Sequence, residues 1–245
     1  MNQSAGPHSI QLLIERNEAA VDRLLESASG LSDEQMREPS LLPGWTRGHV
    51  LTHIARNADG LRNLLIWAQT GVETPMYASA EARAADIEAG ASRSGDELKA
   101  DAMLSAKSLI EKARELTEDA WLAEVRSIRG PAQPAWSLLD RRLFEVEVHH
   151  ADLGAAYRPA NWPDWFVSDE LYRVCGWLAA NPETPTAVLS DAGSGRQYFL
   201  RTGGEADLAI TGPGYALLAW LIGREHDGEL SVDPDGSLPD IPSYG

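Results

Sequence analysis

The sequence predicts a mainly α-helical protein, with a four-helix bundle over residues 1–160 and a small α+β part over residues 161–245. Three observations carry this. Four long stretches hold apolar residues at helical spacing. After Asn161-Trp162-Pro163 the pattern changes to short alternating runs separated by glycine-rich turns. A chain of 245 residues with 43% hydrophobic residues also has ample material for one large domain or two modest ones.

The first helix is expected over residues 10–28, where Ile10, Leu13, Ile14, Val21, Leu24 and Leu25 share a face and Asp22 and Arg23 fall off it. From Gly30-Leu31-Ser32-Asp33 to Leu42-Pro43-Gly44 the chain is rich in turn residues and predicts a connector. A second helix follows from about Thr46 to Thr70, with Val50, Ile54, Asn57, Leu61, Leu64 and Leu65 inward and Gly71 as its stop. A third spans 95–117 through Leu98, Leu109, Ala113 and Leu116, and a fourth runs from about Ala135 to Tyr157. Four amphipathic helices of this length make a bundle.

Residues 71–94, between the second and third helices, form a longer link than a compact bundle requires, and such links are usually functional or disordered. Met76-Tyr77 and a helical-looking patch around Arg83 predict an ordered loop over the bundle's end. Beyond residue 161 a helix is expected near 168–180, built on Leu171, Val174 and Leu178. Strands are expected at Ala187-Val188-Leu189, Gln197-Tyr198-Phe199-Leu200 and Asp207-Leu208-Ala209-Ile210. Pro213 then opens a last helix, from Tyr215 to about Ile222, that ends at Gly223-Arg224.

Lys+Arg number 21 and Asp+Glu 37, a formal net charge of −16. So acidic a surface repels phosphate backbones and anionic lipid, which argues against nucleic-acid and membrane-surface partners. One cysteine, Cys175, excludes an internal disulfide framework and a thiolate-cage zinc site. No apolar run approaches the roughly 20 residues that span a bilayer, and Met1 to Pro7 lack the layout of a signal peptide. A cytoplasmic protein is expected.

The informative anomaly is polar residues on faces that should be apolar. His53 adjoins the stripe of the second helix, with His49 one turn before it. The fourth helix interleaves Glu145, Glu147, His149 and His150 with Leu143, Phe144, Val146 and Val148. Glu145 and His149 are i and i+4 and project from one face. With a histidine from a facing helix they could hold a metal in a bundle core, and three N/O ligands with an open fourth position is the pattern of catalytic zinc. Spacing alone leaves His49/His53 and Glu147/His150 as alternative pairs. It is equally compatible with hydrogen-bonded structural histidines.

The run Leu42-Pro43-Gly44-Trp45-Thr46-Arg47-Gly48-His49-Val50-Leu51-Thr52-His53-Ile54-Ala55 resembles the metal-binding helix of DinB-like bundle proteins that use thiol cofactors. Within that superfamily the chain is most similar to the mycothiol-dependent maleylpyruvate isomerases. The likeness is carried by Glu73-Thr74-Pro75-Met76-Tyr77 with Glu81-Ala82-Arg83, by Arg142-x-x-Glu145-Val146-x-x-His149-x-x-Asp152-Leu153-Gly154-Ala155, and by Gly223-Arg224. The resemblance implies a zinc ion held by His53, Glu145 and His149, with mycothiol as the second cofactor. It leaves His49, Glu147 and His150 as neighbours. Asp152, one turn beyond His149, is placed to accept a hydrogen bond from a ligating imidazole.

The family's substrate is a small dicarboxylate, which a chain of charge −16 repels unless positive charge is concentrated at the site. A guanidinium matches a carboxylate with two parallel hydrogen bonds. The resemblance therefore implies Arg224 as a catalytic residue and Arg83 as a substrate-binding one. The implied reaction is the addition of a zinc-held thiolate to the cis double bond of maleylpyruvate, rotation, and expulsion of the thiolate to give fumarylpyruvate. Cys175 reads as a packing residue, because the sulfur belongs to the cofactor. Two other functions would use the same residues: a mycothiol S-transferase, and a non-catalytic metal- or thiol-binding regulatory module with every coordination position filled.

Overall fold

The computed structural model describes residues 7–128, 130–201, 208–234 and 236–244, with the backbone alone at Pro7 and His8. Met1 to Gly6 and Asp207 lie outside the described residues, and with them most of the N-terminal stretch read above and the expected first residue of the third strand. The chain divides into two compact units, Met1–Tyr157 and Arg158–Gly245.

The first unit is helical. Its long helices are α1 (Pro7–Ser29), α3 (Arg47–Thr70), α5 (Gly95–Glu115) and α7 (Ser137–Asp152). α1 packs on α5 and α7, and α3 packs on the same two, so the four close around one core. Short helices α2 (Asp33–Arg37), α4 (Ala80–Gly90) and α6 (Glu118–Leu122) fill the connections, and β1 (Glu124–Val125) pairs antiparallel with β2 (Gln133–Pro134). Leu24, Leu51, Ile54, Leu61, Leu64, Leu98, Leu109 and Leu138 are fully enclosed. Their burial is the main stabilising term of the unit, at roughly 1.5–3 kcal/mol per large side chain.

Local chemistry starts and stops these helices. Thr46 caps α3 in a reciprocal box with His49, whose ring takes the place that a Glu or Gln usually holds. Ser94 and Glu97 make the same box at α5, and Ser79 caps α4. α3 ends at Gly71 in the left-handed region, φ 70°, where glycine has no Cβ penalty.

α4 lies on α3 because α3 carries small residues where the chain crosses it. A Cβ on Gly48 would meet the Ala91 carbonyl oxygen at 2.2 Å. One on Gly60 would sit 2.8 Å from Met76 Cγ and 3.0 Å from Tyr77 Cε1. These two approaches hold the 71–94 link over the bundle as an ordered segment, as expected, with α4 as its helical core. Arg47 joins the start of α3 to the end of α7: its Nε and Nη2 donate to the carbonyls of Leu153 (3.0 Å) and Gly154 (3.1 Å).

The second unit opens with a 3₁₀ turn at Pro159–Asn161 and contains α8 (Asp164–Leu178), β3 (Ala187–Asp191), β4 (Gln197–Leu200), β5 (Leu208–Gly212), α9 (Gly214–Leu221) and β6 (Ser231–Asp233). The sheet order is β4-β3-β5-β6, with β3 antiparallel to β4, parallel to β5, and β5 antiparallel to β6. α8 and α9 pack together, and α9 also packs on β3 and β5. Phe166, Leu171, Leu189, Leu200, Ile210 and Leu217 form the core.

The fold class is the expected one, a helical part followed by an α+β part. The fourth helix is shorter than its apolar pattern suggests. It stops at Asp152 because Gly154 turns into the left-handed region, φ 66°, and Arg47 takes the last carbonyls. β6 was not foreseen: three residues, Ser231-Val232-Asp233, are too few to show alternation.

Candidate metal centre

α3 and α7 face each other and supply three polar side chains to the space between them. His53 comes from the second turn of α3 and is 4% exposed. Glu145 and His149 come from successive turns of α7. Ligating atoms of His53, Glu145 and His149 lie within 4.8 Å of one another, and no other such trio occurs among the described residues. His53 Nε2 is 2.9 Å from Glu145 Oε2, and His149 Nε2 is 3.4 Å from the same oxygen. The two imidazoles meet edge to face, 4.6 Å between centroids.

Each ring is oriented from behind. Asp152 Oδ2 accepts from His149 Nδ1 at 2.8 Å, which turns Nε2 toward Glu145. Asp152 is 2% exposed. Its backbone carbonyl accepts from Leu41 N at 2.8 Å, so the orienting carboxylate is itself anchored. Arg83, from α4, donates from Nη2 to His53 Nδ1 at 2.9 Å, with its guanidinium 5.6 Å over the Tyr77 ring. Trp45 stacks on His49 and sets its edge against His53.

These contacts set the charges. Burial pushes the His53 pKa down, more than its hydrogen bond to Glu145 raises it. Burial also opposes protonation of His149, but its hydrogen bonds to Asp152 and Glu145 outweigh that and hold its pKa up. Burial would raise Glu145, yet the hydrogen bonds from His149 and His53 hold its carboxyl well below the usual range. Glu145 is thus an anion at neutral pH.

The donor set fits a divalent ion of the zinc type. Two imidazoles and one carboxylate are ligands zinc accepts. Donors at about 2.0–2.1 Å from one tetrahedral ion stand about 3.3 Å apart, close to the 2.9 and 3.4 Å separations seen here. The Asp152–His149 contact is the usual partner arrangement for a ligating histidine.

The alternative pairs are engaged elsewhere. His49 caps α3 through Nδ1 and meets Glu88 at 3.1 Å through Nε2. Glu147 is fully enclosed, ion-paired with Arg23 of α1 and hydrogen-bonded by Tyr157. His150 stacks on Tyr157 (3.7 Å, 4°) and bonds Ser27 at 2.8 Å. Cys175 is buried in α8, and burial pushes its thiol up to about 12, so it is inert packing. Arg224 belongs to the second unit, just past α9. Its N–H donates to Ala219 O at 2.7 Å and its Nη1 to Ile222 O at 2.8 Å, and the chain turns there through Gly223 at φ 70°.

Comparisons with known proteins place the chain in a family. Residues 18–154 match the model of the mycothiol maleylpyruvate isomerase N-terminal domain. The chain belongs to that family. The crystal structure of a mycothiol-dependent maleylpyruvate isomerase is similar to this chain at 30% identity and a TM-score of 0.88, over 96% of this chain and 97% of the other. A histidine-to-alanine mutant of such an isomerase is similar at 29% identity and a TM-score of 0.87, over the same shares. No curated protein sequence matches. Membership of the mycothiol maleylpyruvate isomerase family makes the chain an enzyme of the isomerase type. No described helix is long and apolar enough to cross a membrane.

Two members of the site escaped the sequence reading in their present roles. Tyr77 was noted only as part of a phrase, and it lies beneath Arg83. Trp45 stands in the run Leu42 to Ala55 with no role of its own, and it packs on both His49 and His53. Their only advance signal was proximity in sequence to the link and to the capped start of α3.

Proposed function

We propose that this chain converts maleylpyruvate to fumarylpyruvate, with zinc at His53, Glu145 and His149 and mycothiol as the sulfur donor. The observation that carries the reading is the convergence of those three side chains, with Asp152 behind one of them, in a chain whose residues 18–154 match the family. His53, Glu145 and His149 would hold zinc, which would supply a Lewis acid that keeps a thiol deprotonated at neutral pH, and mycothiol would supply the sulfur nucleophile. Residues 1–160 are then the metal-binding domain and residues 161–245 the appended α+β domain, in a cytoplasmic protein.

The chain's own residues have the following parts. Glu145 lowers the charge of the ion from +2 to about +1, so one thiolate makes the centre neutral. Asp152 fixes the His149 tautomer so that Nε2 is the ligating atom. Arg83, on α4, anchors one carboxylate of the substrate, and the aromatic face of Tyr77 keeps its guanidinium in place. Arg224 stabilises the negative charge that develops on the carbonyl oxygen as sulfur adds, or holds a carboxylate through the rotation. A donor of that kind is worth about 3–4 kcal/mol of barrier.

The test is turnover of maleylpyruvate by zinc-loaded protein with and without mycothiol. Isomerisation that requires the thiol and leaves its concentration unchanged is the expected result. A stable sulfur conjugate would make the protein a transferase, and no turnover with every coordination position filled would make it a binding module.

A further inference from the structure

Arg142 stands one turn before Glu145 on α7 and is 1% exposed, among the largest fully enclosed side chains of the protein. Its Nη1 donates to the carbonyl of Ile54, the residue after His53, at 2.8 Å and to Asn57 Oδ1 at 2.9 Å. Both acceptors are neutral. Nη2 is buried without a hydrogen-bond partner, and among the described residues the guanidinium forms no ion pair. Burial lowers its pKa to about 10, and the carboxylate that most favours its charge is Glu145, so at neutral pH it remains a cation.

A buried cation without a carboxylate of its own is expensive, because desolvation costs several kcal/mol per ion before any pairing. A leucine or methionine would fill the same space between α7 and α3 without that penalty. The carboxylate with the largest effect on its charge is Glu145, with Tyr77 and Asp59 contributing less, and Glu145 is also the carboxylate of the metal trio, so its charge is shared with any ion bound there. The guanidinium field then falls on whatever anion occupies the remaining position.

We infer that Arg142 is a fixed positive charge behind the metal centre, held against α3 by neutral acceptors so that its field acts on the bound thiol and makes the thiolate form at lower pH. This deepens the zinc–thiol reading and rests on it. Among the described residues Arg142 makes no hydrogen bond to His53, Glu145 or His149. It positions charge, and its hydrogen bonds to Ile54 and Asn57 hold it in place.

The decisive variant is Asn57→Asp. It preserves the hydrogen bond from Arg142 and sets a carboxylate against the guanidinium, so it cancels the charge while leaving the packing in place. Arg142→Lys keeps the charge with fewer donors, and Arg142→Met removes the charge. Each protein is loaded with cobalt(II) as a spectroscopic stand-in for zinc. It is then titrated with 2-mercaptoethanol between pH 5 and 9, following the sulfur-to-cobalt absorption.

The pH midpoint of thiolate formation is expected to rise by about one unit in Asn57→Asp and Arg142→Met, the low end of what a neighbouring charge does to a pKa. In Arg142→Lys it stays near the wild-type value. Equal midpoints in wild type and Asn57→Asp, at equal cobalt content, would overturn the inference even if Arg142→Met does not fold. Wild-type protein that takes up no cobalt would instead overturn the metal reading itself, so the two failures are distinct.

Discussion

Nη2 of Arg83 lies 2.9 Å from Nδ1 of His53. A guanidinium only donates, so this contact requires Nδ1 to be bare and puts the ring's single N–H on Nε2, toward Glu145. A metal ion on Nε2 would send that proton to Nδ1, where it would face the guanidinium hydrogens. The two contacts exclude each other, so a metal ion at the centre would free Arg83 to meet a carboxylate.

Calorimetry with zinc and then maleate tests this exchange. Maleate is expected to bind wild-type protein at least tenfold more tightly after zinc than before it. Arg83→Ala should hold zinc as tightly as wild type and lose most of the maleate affinity. Equal maleate affinity with and without zinc would rule out the exchange.

The trio is tested by elemental analysis. His53→Ala should retain no zinc after dialysis, and an unchanged zinc content would remove His53 from the site. Asp152→Asn keeps the size of the side chain but weakens the hold on His149 Nδ1, and should lower zinc affinity about 10–100-fold.

Arg224→Lys keeps the charge and loses the two-pronged fork. Turnover of maleylpyruvate should fall by about 10²–10³-fold, the loss expected for one donor to a developing oxyanion. Zinc content should not change. Near-normal rates in this variant would exclude Arg224 from the reaction.

His150 gives a prediction about stability. Its burial, with Arg23 nearby, pushes its pKa down from 6.5 to about 3. The folded chain refuses a proton that the unfolded chain takes, so this contribution is complete above about pH 6.5 and fades as pH falls toward 3. The slope is at most about 1.4 kcal/mol per pH unit. Urea melts of chelator-treated protein at pH 7 and pH 5 should show the loss. His150→Phe, which keeps an aromatic ring against Tyr157, should reduce it, and an identical loss in the variant would contradict the assignment.

Much of this was legible in the sequence, and the remainder has physical reasons. α3 and α5 declare themselves because Val50, Ile54, Leu61 and Leu98, Leu109, Ala113 keep the helical period and bury one face. α4 is mostly alanine and charge with one buried anchor, Ile87, so its pattern reads only as a helical-looking patch. β1 and β2 have two residues each and carry no period. Spacing offered several ligand pairs, because what separates His53 from His49 is which ring a cap consumes, a contact between Thr46 and His49 that no periodicity records. Arg142 was visible only as a letter in a motif, since arginine is ordinarily a surface residue and nothing in the sequence states its burial.

Arg47 grips the carbonyls at the end of α7 from the first turn of α3, and in doing so fastens together the two helices that bear the trio. That fastening asks nothing of an ion. Chelation should therefore leave a folded receptacle that recharges on contact with zinc, unlike a finger domain that unravels when stripped. A cell passing through scarcity would lose the activity and keep the protein.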